Sequence, residues 1–480
     1  MSQLTKKCRR IHLELSYSAT IFGRIMLAVV LVCLCNTGKL YSQEKTNSPL
    51  PLPVEKETDG EGTPLPVPKS QETNPELPLG ADIPPKDIPE IMRYKNENEP
   101  TIRRKIKELA TIQKDASSAI FRRDSSRKGK ELSKKRVEFL FLSMKLKSNR
   151  AKLSQLRSMV RADVIKSGRK LSSKKQKEKF RKFFLQVITD HCKALLDDNF
   201  YLRLNAVLIL NDLELKERGS GKPATPFVPA LHVLLKAIKN PKQHEAIKSV
   251  ATKGIRKILM YGQTTTIMKL EIGKVLVKEL NQSKNSAWYD MRLIQALSRV
   301  QIVRWVRLNG APQPVIMQTL LDVMKDNKRD WQVRAEAARG LGLILLGNGD
   351  KEMEPKMIAT EIIGFCDQMV DAYNANKKNN FWKNSFFKLY LAFKPRTEDG
   401  VKRKDGLVLR YGKDVDVLQA YDLIIPIVRH VLQQPNKNHA PVPDANKQNL
   451  SEWLKKSPRN IVPAATSFRT GKSSDVSSVK

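Results

Sequence analysis

The chain runs to 480 residues and carries a formal net charge of +38, from 87 Lys and Arg against 49 Asp and Glu. That length allows several conventional domains or one elongated array, and the charge predicts attraction to polyanions without bearing on the fold. Five cysteines over this length exclude a disulfide-stapled scaffold.

Residues 1–43 read as an export signal. Lys6, Lys7, Arg9, Arg10 and Arg24 precede an apolar run of eleven residues, 25–35, too short to span a bilayer core of about 30 Å as a helix. Thr37, Gly38 and Ser42 follow, so cleavage is expected between Gly38 and Gln43, with an uncleaved membrane anchor as the alternative. The mature protein then belongs outside the cytoplasm, in the periplasm, in the cell envelope or secreted. Val32 and Leu34 stand just before Cys33 and Cys35, where a lipidation signal needs small residues. After cleavage only Cys192 and Cys366 remain, and both read as buried small hydrophobes.

Residues 44–100 hold twelve of the 26 prolines and twelve acids against six bases. Alternations such as "PLPLPV" favour extended polyproline chain with no core to bury, so this segment reads as a disordered linker. At residue 101 the composition inverts. Residues 103–182 carry 28 Lys and Arg against seven acids, yet Leu132, Val137, Leu140, Phe141, Met144, Leu153, Leu156, Val160 and Val164 recur mostly at intervals of three or four. The stretch 101–175 is therefore predicted to be amphipathic helix, broken near Gly129 and Gly168. Arg103, Arg104, Lys105, Arg122, Arg123, Lys134, Lys135, Arg136, Arg169 and Lys170 are its candidate polyanion contacts. Residues 103–170 are expected to be removable without unfolding the rest of the chain, unless these helices are the amino-terminal cap of the array.

From residue 176 to 434 one pattern recurs. In "DWQVRAEAARGLGLI" (330–344), Val333 at position zero is followed by Arg334 at +1, Ala337 at +4, Gly340 and Leu341 at +7 and +8, and Ile344 at +11. The same frame fits Leu202, Arg203 and Ala206, then Ile247, Lys248 and Ala251. It fits more loosely from Tyr289, and again from Trp382 with aromatics replacing small residues. The starts lie 45, 42, 44 and 49 residues apart. Asn199, His244, Ser286, Asp330 and Asn379 stand three residues ahead, and four of these are good helix N-caps. Another apolar-periodic segment precedes each, such as "FVPALHVLLKAI", so each unit reads as helix, turn, helix. Small side chains at +4 and +7 suit close approach of neighbouring helices. Glu336, beside Ala337, is expected to face solvent.

The 330–344 stretch resembles the second helix of HEAT repeats, and "YLRLNAVLILNDL" is a fair match. The resemblance implies an all-α fold, an α-solenoid of about five antiparallel helix pairs of the HEAT or armadillo kind. It also implies that the basic residue at +1 helps join neighbouring units. Arg203, Lys248, Arg334 and Lys383 match that position and Asp290 departs from it. The function it implies is generic: a scaffold binding proteins, and sometimes nucleic acid, along an extended surface.

No enzyme signature accompanies this pattern. "GSGK" at 219–222 lacks the glycine of a phosphate loop at Lys216 and has Pro223 where a metal-holding hydroxyl belongs, so it reads as a turn. The six histidines show no metal-ligand spacing. No cofactor, metal or small-molecule substrate is indicated. Trp288, Trp331 and Trp382 recur near the start of second helices, as staples of the turn or as an aromatic ligand surface. Arg304, Trp305 and Arg307 form a candidate surface contact. Residues 435–480 read as mostly disordered, with one short helix at "LSEWLKKS". The sequence thus supports two functions: a non-catalytic exported scaffold with a protein partner, or a binder of a polyanion (an acidic envelope polymer, anionic lipid or nucleic acid) acting through the basic helices at 103–182. Membrane association is expected only if the signal is retained.

Overall fold

The computed structural model describes residues 99–167, 173–219, 221–282, 285–302, 305–306, 312–346, 354–394, 405–434 and 439–457. The signal region, the linker as far as residue 98, Arg169, Lys170, Arg304, Arg307, the side chain of Trp305 and the last 23 residues lie outside them. Seventeen α-helices occur among the described residues, and none is long and apolar enough to cross a membrane.

The basic region forms four helices: α1 (Glu99–Ala110), α2 (Gln113–Arg122), α3 (Arg127–Lys145) and α4 (Leu153–Lys166). Gly129 stands within the first turn of α3, not between helices, and Ser126 caps that helix by accepting a bond from the Gly129 N–H. The apolar stripe is buried as its period requires: Val137, Leu140, Phe141, Met144, Leu153, Val160 and Val164 are all at most 5% exposed.

Ten helices come next as five consecutive pairs: α5 (Lys174–Leu195) with α6 (Phe200–Asn211), α7 (Leu231–Lys239) with α8 (Glu245–Tyr261), α9 (Thr266–Leu280) with α10 (Ala287–Leu297), α11 (Val315–Lys325) with α12 (Trp331–Leu343), and α13 (Pro355–Ala375) with α14 (Phe381–Phe393). Local chemistry sets the starts of the second helices. Side chains of Asn199, His244 and Ser286 accept bonds from the first-turn N–H groups, removing donors a helix start leaves orphaned. The imidazole of His244 caps as the hydroxyl and amide do. Asp330 precedes α12 without such a bond, and α14 starts after Asn380, one residue later than the frame predicts.

The second helices α6, α8, α10, α12 and α14 touch in succession, and α16 (Val415–Gln433) extends the row beyond α14. First helices α5, α7, α9 and α11 make a parallel series of contacts. The packing is repeat-like and compatible with a helical solenoid. Nor does it stop at residue 176: α3 packs on α5 and α4 on α6. Phe141 of α3 sits 5.2 Å from the ring of His191, and Arg157 of α4 donates to Asn205 of α6 at 2.8 Å. The basic helices thus cover the first pair.

Small residues let the second helices approach. A side chain added at Gly342 would strike the backbone of Ala392 in α14, and one at Gly254 would strike the Asn211 side chain in α6. Two short antiparallel ladders carry no signal in the repeat pattern: β1 (Glu214–Lys216) with β2 (Thr225–Pro226), and β3 (Trp305–Val306) with β4 (Pro312–Gln313). The "GSGK" turn closes the first, with Gly219 and Lys222 exchanging backbone bonds of 3.1 Å.

At the carboxyl end, α15 (Leu407–Tyr411) precedes α16, and α17 (Asp444–Lys456) packs on α13 and α16. This last helix starts at Asp444 rather than Leu450 and is docked: Leu450 is fully buried, the Val442 N–H bonds Asn374 at 2.9 Å and the Tyr373 hydroxyl bonds the Ala440 carbonyl at 3.1 Å. Residues 439–457 are thereby part of the packed body.

Candidate functional site

Three consecutive second helices build a pocket. From α10 come Trp288, Met291, Arg292 and Gln295; from α12, Glu336 and Arg339; from α14, Asn384, Phe387, Lys388 and Leu391. On α10 and α14 the four residues are spaced i, i+3, i+4, i+7, a single helix face. The cavity measures about 270 Å³. Its aromatic and aliphatic walls are half-buried, Asn384 is exposed at the lip, and Glu336 lies at the base, 2% exposed.

Glu336, expected in solvent, is instead the ionic centre of the pocket. Arg339 donates to its Oε1 at 2.6 Å, and the Lys388 ammonium lies 3.1 Å from its Oε2. Burial alone would raise this carboxyl's pKa, but Lys388 and Arg339 overcome that and hold it at about 2. Lys388 also donates to the Gln332 carbonyl at 3.2 Å and contacts the Met291 sulfur at 3.3 Å. Its own helix turns it inward, 52 residues beyond Glu336, so a reading of the α12 frame alone could not find the pair.

The predicted junction residues occupy buried positions. Leu202, Ala206, Ile247, Ala251, Val333, Ala337 and Leu341 are at most 1% exposed, and Arg203, Lys248 and Arg334 are 5%, 6% and 3% exposed. Lys248 bonds Glu279 of α9 at 2.8 Å. Arg334 bonds the Met324 carbonyl of α11 and Gln368 of α13, each at 2.8 Å, and lies over the rings of Trp331 and Phe365. Lys383 bonds the Gln434 carbonyl at 2.9 Å. At the third unit, in frame from a buried Tyr289, the junction runs with reversed polarity. Asp290 takes the guanidinium of Arg329 from the turn before α12 and the amide of Asn285. Burial pushes the Asp290 carboxyl up to about 6, against the pull of both partners.

The tryptophans divide between the two roles. Trp331 packs on Phe365 and Trp382, and Trp382 bonds the Asn376 carbonyl at 2.7 Å, so both staple their turns. Trp288 lines the pocket.

The candidate polyanion contacts also divide. Arg103, Arg104, Lys105, Arg122 and Lys134 are exposed, with Arg103, Lys105 and Lys134 paired to Glu99, Glu138 and Glu131. Lys135 is half-buried. Arg136 turns inward, to Asp163 and Gln113 at 2.9 Å each. Arg123 is 2% exposed, in a left-handed backbone conformation at the end of α2, and bonds the Ser167 carbonyl at the end of α4 at 2.9 Å. A cation there meets two helix carboxyl ends, so Arg123 and Arg136 hold the helices together and offer nothing to a polymer. Compared with protein-family models, with curated proteins and with solved structures, the chain matches none.

Proposed function

We propose that this protein is a HEAT-like helical-repeat scaffold, exported from the cytoplasm, that binds a protein partner along the face made by its second helices. The observation that carries the reading is the pocket shared by α10, α12 and α14, which combines half-exposed aromatics with buried charge. Aromatic and Arg side chains in partly desolvated depressions are what dominate protein–protein binding energies. Solenoids present such faces because each unit stacks only on its neighbours and leaves one surface open along the array.

The test uses the full chain with a photoreactive residue at Asn384, on the pocket lip, or at Ile267, which is 79% exposed at the start of α9. Adducts with one protein from Asn384 and not from Ile267, surviving about 0.5 M salt, support the scaffold; at that ionic strength exposed charges are screened over a few ångströms. Release of all bound material by that salt counts against it. Amino-terminal sequencing of the mature chain should begin between Lys39 and Glu44, and an intact Met1 on a cytoplasmic protein would remove the export reading.

A second reading has its own observation: Arg103, Arg104, Lys105, Arg122 and Lys134 are exposed on α1, α2 and α3. These side chains suit a sulfated, phosphorylated or carboxylated polymer, whose affinity would fall with salt by a log–log slope of about −0.7 to −0.9 per contact.

A further inference from the structure

The pocket between α10, α12 and α14 is small. At about 270 Å³ it falls just under the range of about 300–1,000 Å³ typical of metabolite and cofactor sites, and it has room for one large side chain. Its charges do not cancel. Arg292, Arg339 and Lys388 face a single carboxylate, Glu336, whose two oxygens are already taken by Arg339 and Lys388. Arg339 Nε is buried without a hydrogen-bond partner. Arg292 donates to the neutral amide of Gln295 at 3.1 Å. Beside these cations stand the half-buried rings of Trp288 and Phe387.

From this arrangement we infer that the pocket anchors an acidic segment of a protein partner, one aromatic or large aliphatic side chain entering between Trp288 and Phe387 and an adjacent carboxylate reaching Arg292 and Arg339. The inference rests on the scaffold reading and narrows it to a partner chemistry. A second carboxylate would bring the local charge from a surplus of two cations to one, and it is the ligand group that an Arg fork holds best. A sulfated polysaccharide would meet the cations but leave the apolar walls unfilled. A cationic segment would be repelled.

The test pans a random-heptapeptide display library on the immobilised full chain and, in parallel, on the Arg292→Ala, Asn384→Glu double variant. Asn384 is exposed and Arg292 half-exposed, and the variant must first melt as the wild type does. The expected result is enrichment, on the wild-type chain only, of peptides with Asp or Glu within two residues of Trp, Phe or Leu. Synthetic copies of them should bind the double variant, and separately Phe387→Ala, at least tenfold more weakly. Enriched peptides lacking a carboxylate, or equal binding to all three chains, would overturn the proposal. Displacement by heparin with no effect of Phe387→Ala would overturn it in favour of a simple cationic surface. Peptides held equally by all three chains, together with salt-resistant protein adducts from Asn384, would sink the acidic-segment inference and leave the scaffold standing. Absence of both peptides and adducts would sink the two together.

Discussion

Most cations of helices α1–α4 are solvated, with Arg123 and Arg136 as the enclosed exceptions, whereas the charge at the centre of the row α10–α14 is enclosed. In the first region Lys105 and Glu138 pair with side chains 51% and 29% exposed, an arrangement worth about 0–1 kcal/mol. In the second, Lys388 and Glu336 pair at 9% and 3% exposed, where removing one partner leaves the other charge buried and uncompensated. Charge that is dense and solvated is adjustable; charge that is sparse and enclosed is fixed by its surroundings. The two proposed functions divide along the same line, the polymer reading resting on outward cations and the scaffold reading on enclosed ones.

The largest test of this contrast is deletion of residues 103–170. Because α3 and α4 cover α5 and α6, the remainder is expected to melt at least about 10 °C lower, several kcal/mol at roughly 2–4 °C per kcal/mol. An unchanged melt would return the basic helices to the status of an appendage.

Next in size is Glu336→Ala, expected to cost about 3–5 kcal/mol by urea unfolding, because it strands Lys388 and Arg339. A silent substitution would place the side chain in solvent after all. The same group predicts a pH dependence. Its carboxyl lies at about 2 when folded against an ordinary 4.5, so its contribution is complete above pH 4.5 and is lost as pH falls towards 2. The shift corresponds to about 3 kcal/mol at 1.36 kcal/mol per unit. Glu336→Gln should flatten that acid limb, and an unaltered limb would assign it to other carboxylates.

Gly342→Ala comes third, at about 1–3 kcal/mol, because the added methyl must push back the α14 backbone at Ala392. Full stability in this variant would mean that the two helices are further apart. Smallest in stability is Arg104→Gln with Arg122→Gln, which should stay within about 0.5 kcal/mol of wild type. Heparin retention should nevertheless weaken, the salt slope easing by about 0.7–0.9 for each lost contact. Unchanged retention would show these exposed cations to be solvated surface only.

The helices of the repeats were legible because their causes are local. A 3.6-residue period and residues such as Asn199 and Ser286 act within one or two turns. What escaped was set by distant chain. One partner of Glu336, Lys388, lies on α14, Arg123 is buried because α2 and α4 end side by side, and Gly342 matters because Ala392 passes over it. The resemblance marked the +1 positions as junctions and Asp290 as the departure, but not their partners, Glu279 in one junction and Arg329 in the next. The pocket was half legible. Trp288 stood out by its recurrence, while Arg292, Phe387 and Lys388 gave no signal without the packing.

That single reversal of polarity has a consequence for assembly. Lys248 of one unit meets Glu279 of the next, whereas Asp290 of that unit meets Arg329 of its successor. A chain that stacked the second unit directly on the fourth, skipping the third, would take Lys248 away from Glu279 and leave Arg329 without Asp290. Similar amphipathic helices are interchangeable by shape alone, and a folding array of them is prone to docking out of order. Exchanging the charges as Asp290→Arg with Arg329→Asp should preserve folding, while either change alone should slow or derail it in refolding kinetics. The one reversed junction then works as an address, marking the place of the third helix pair between the second and the fourth.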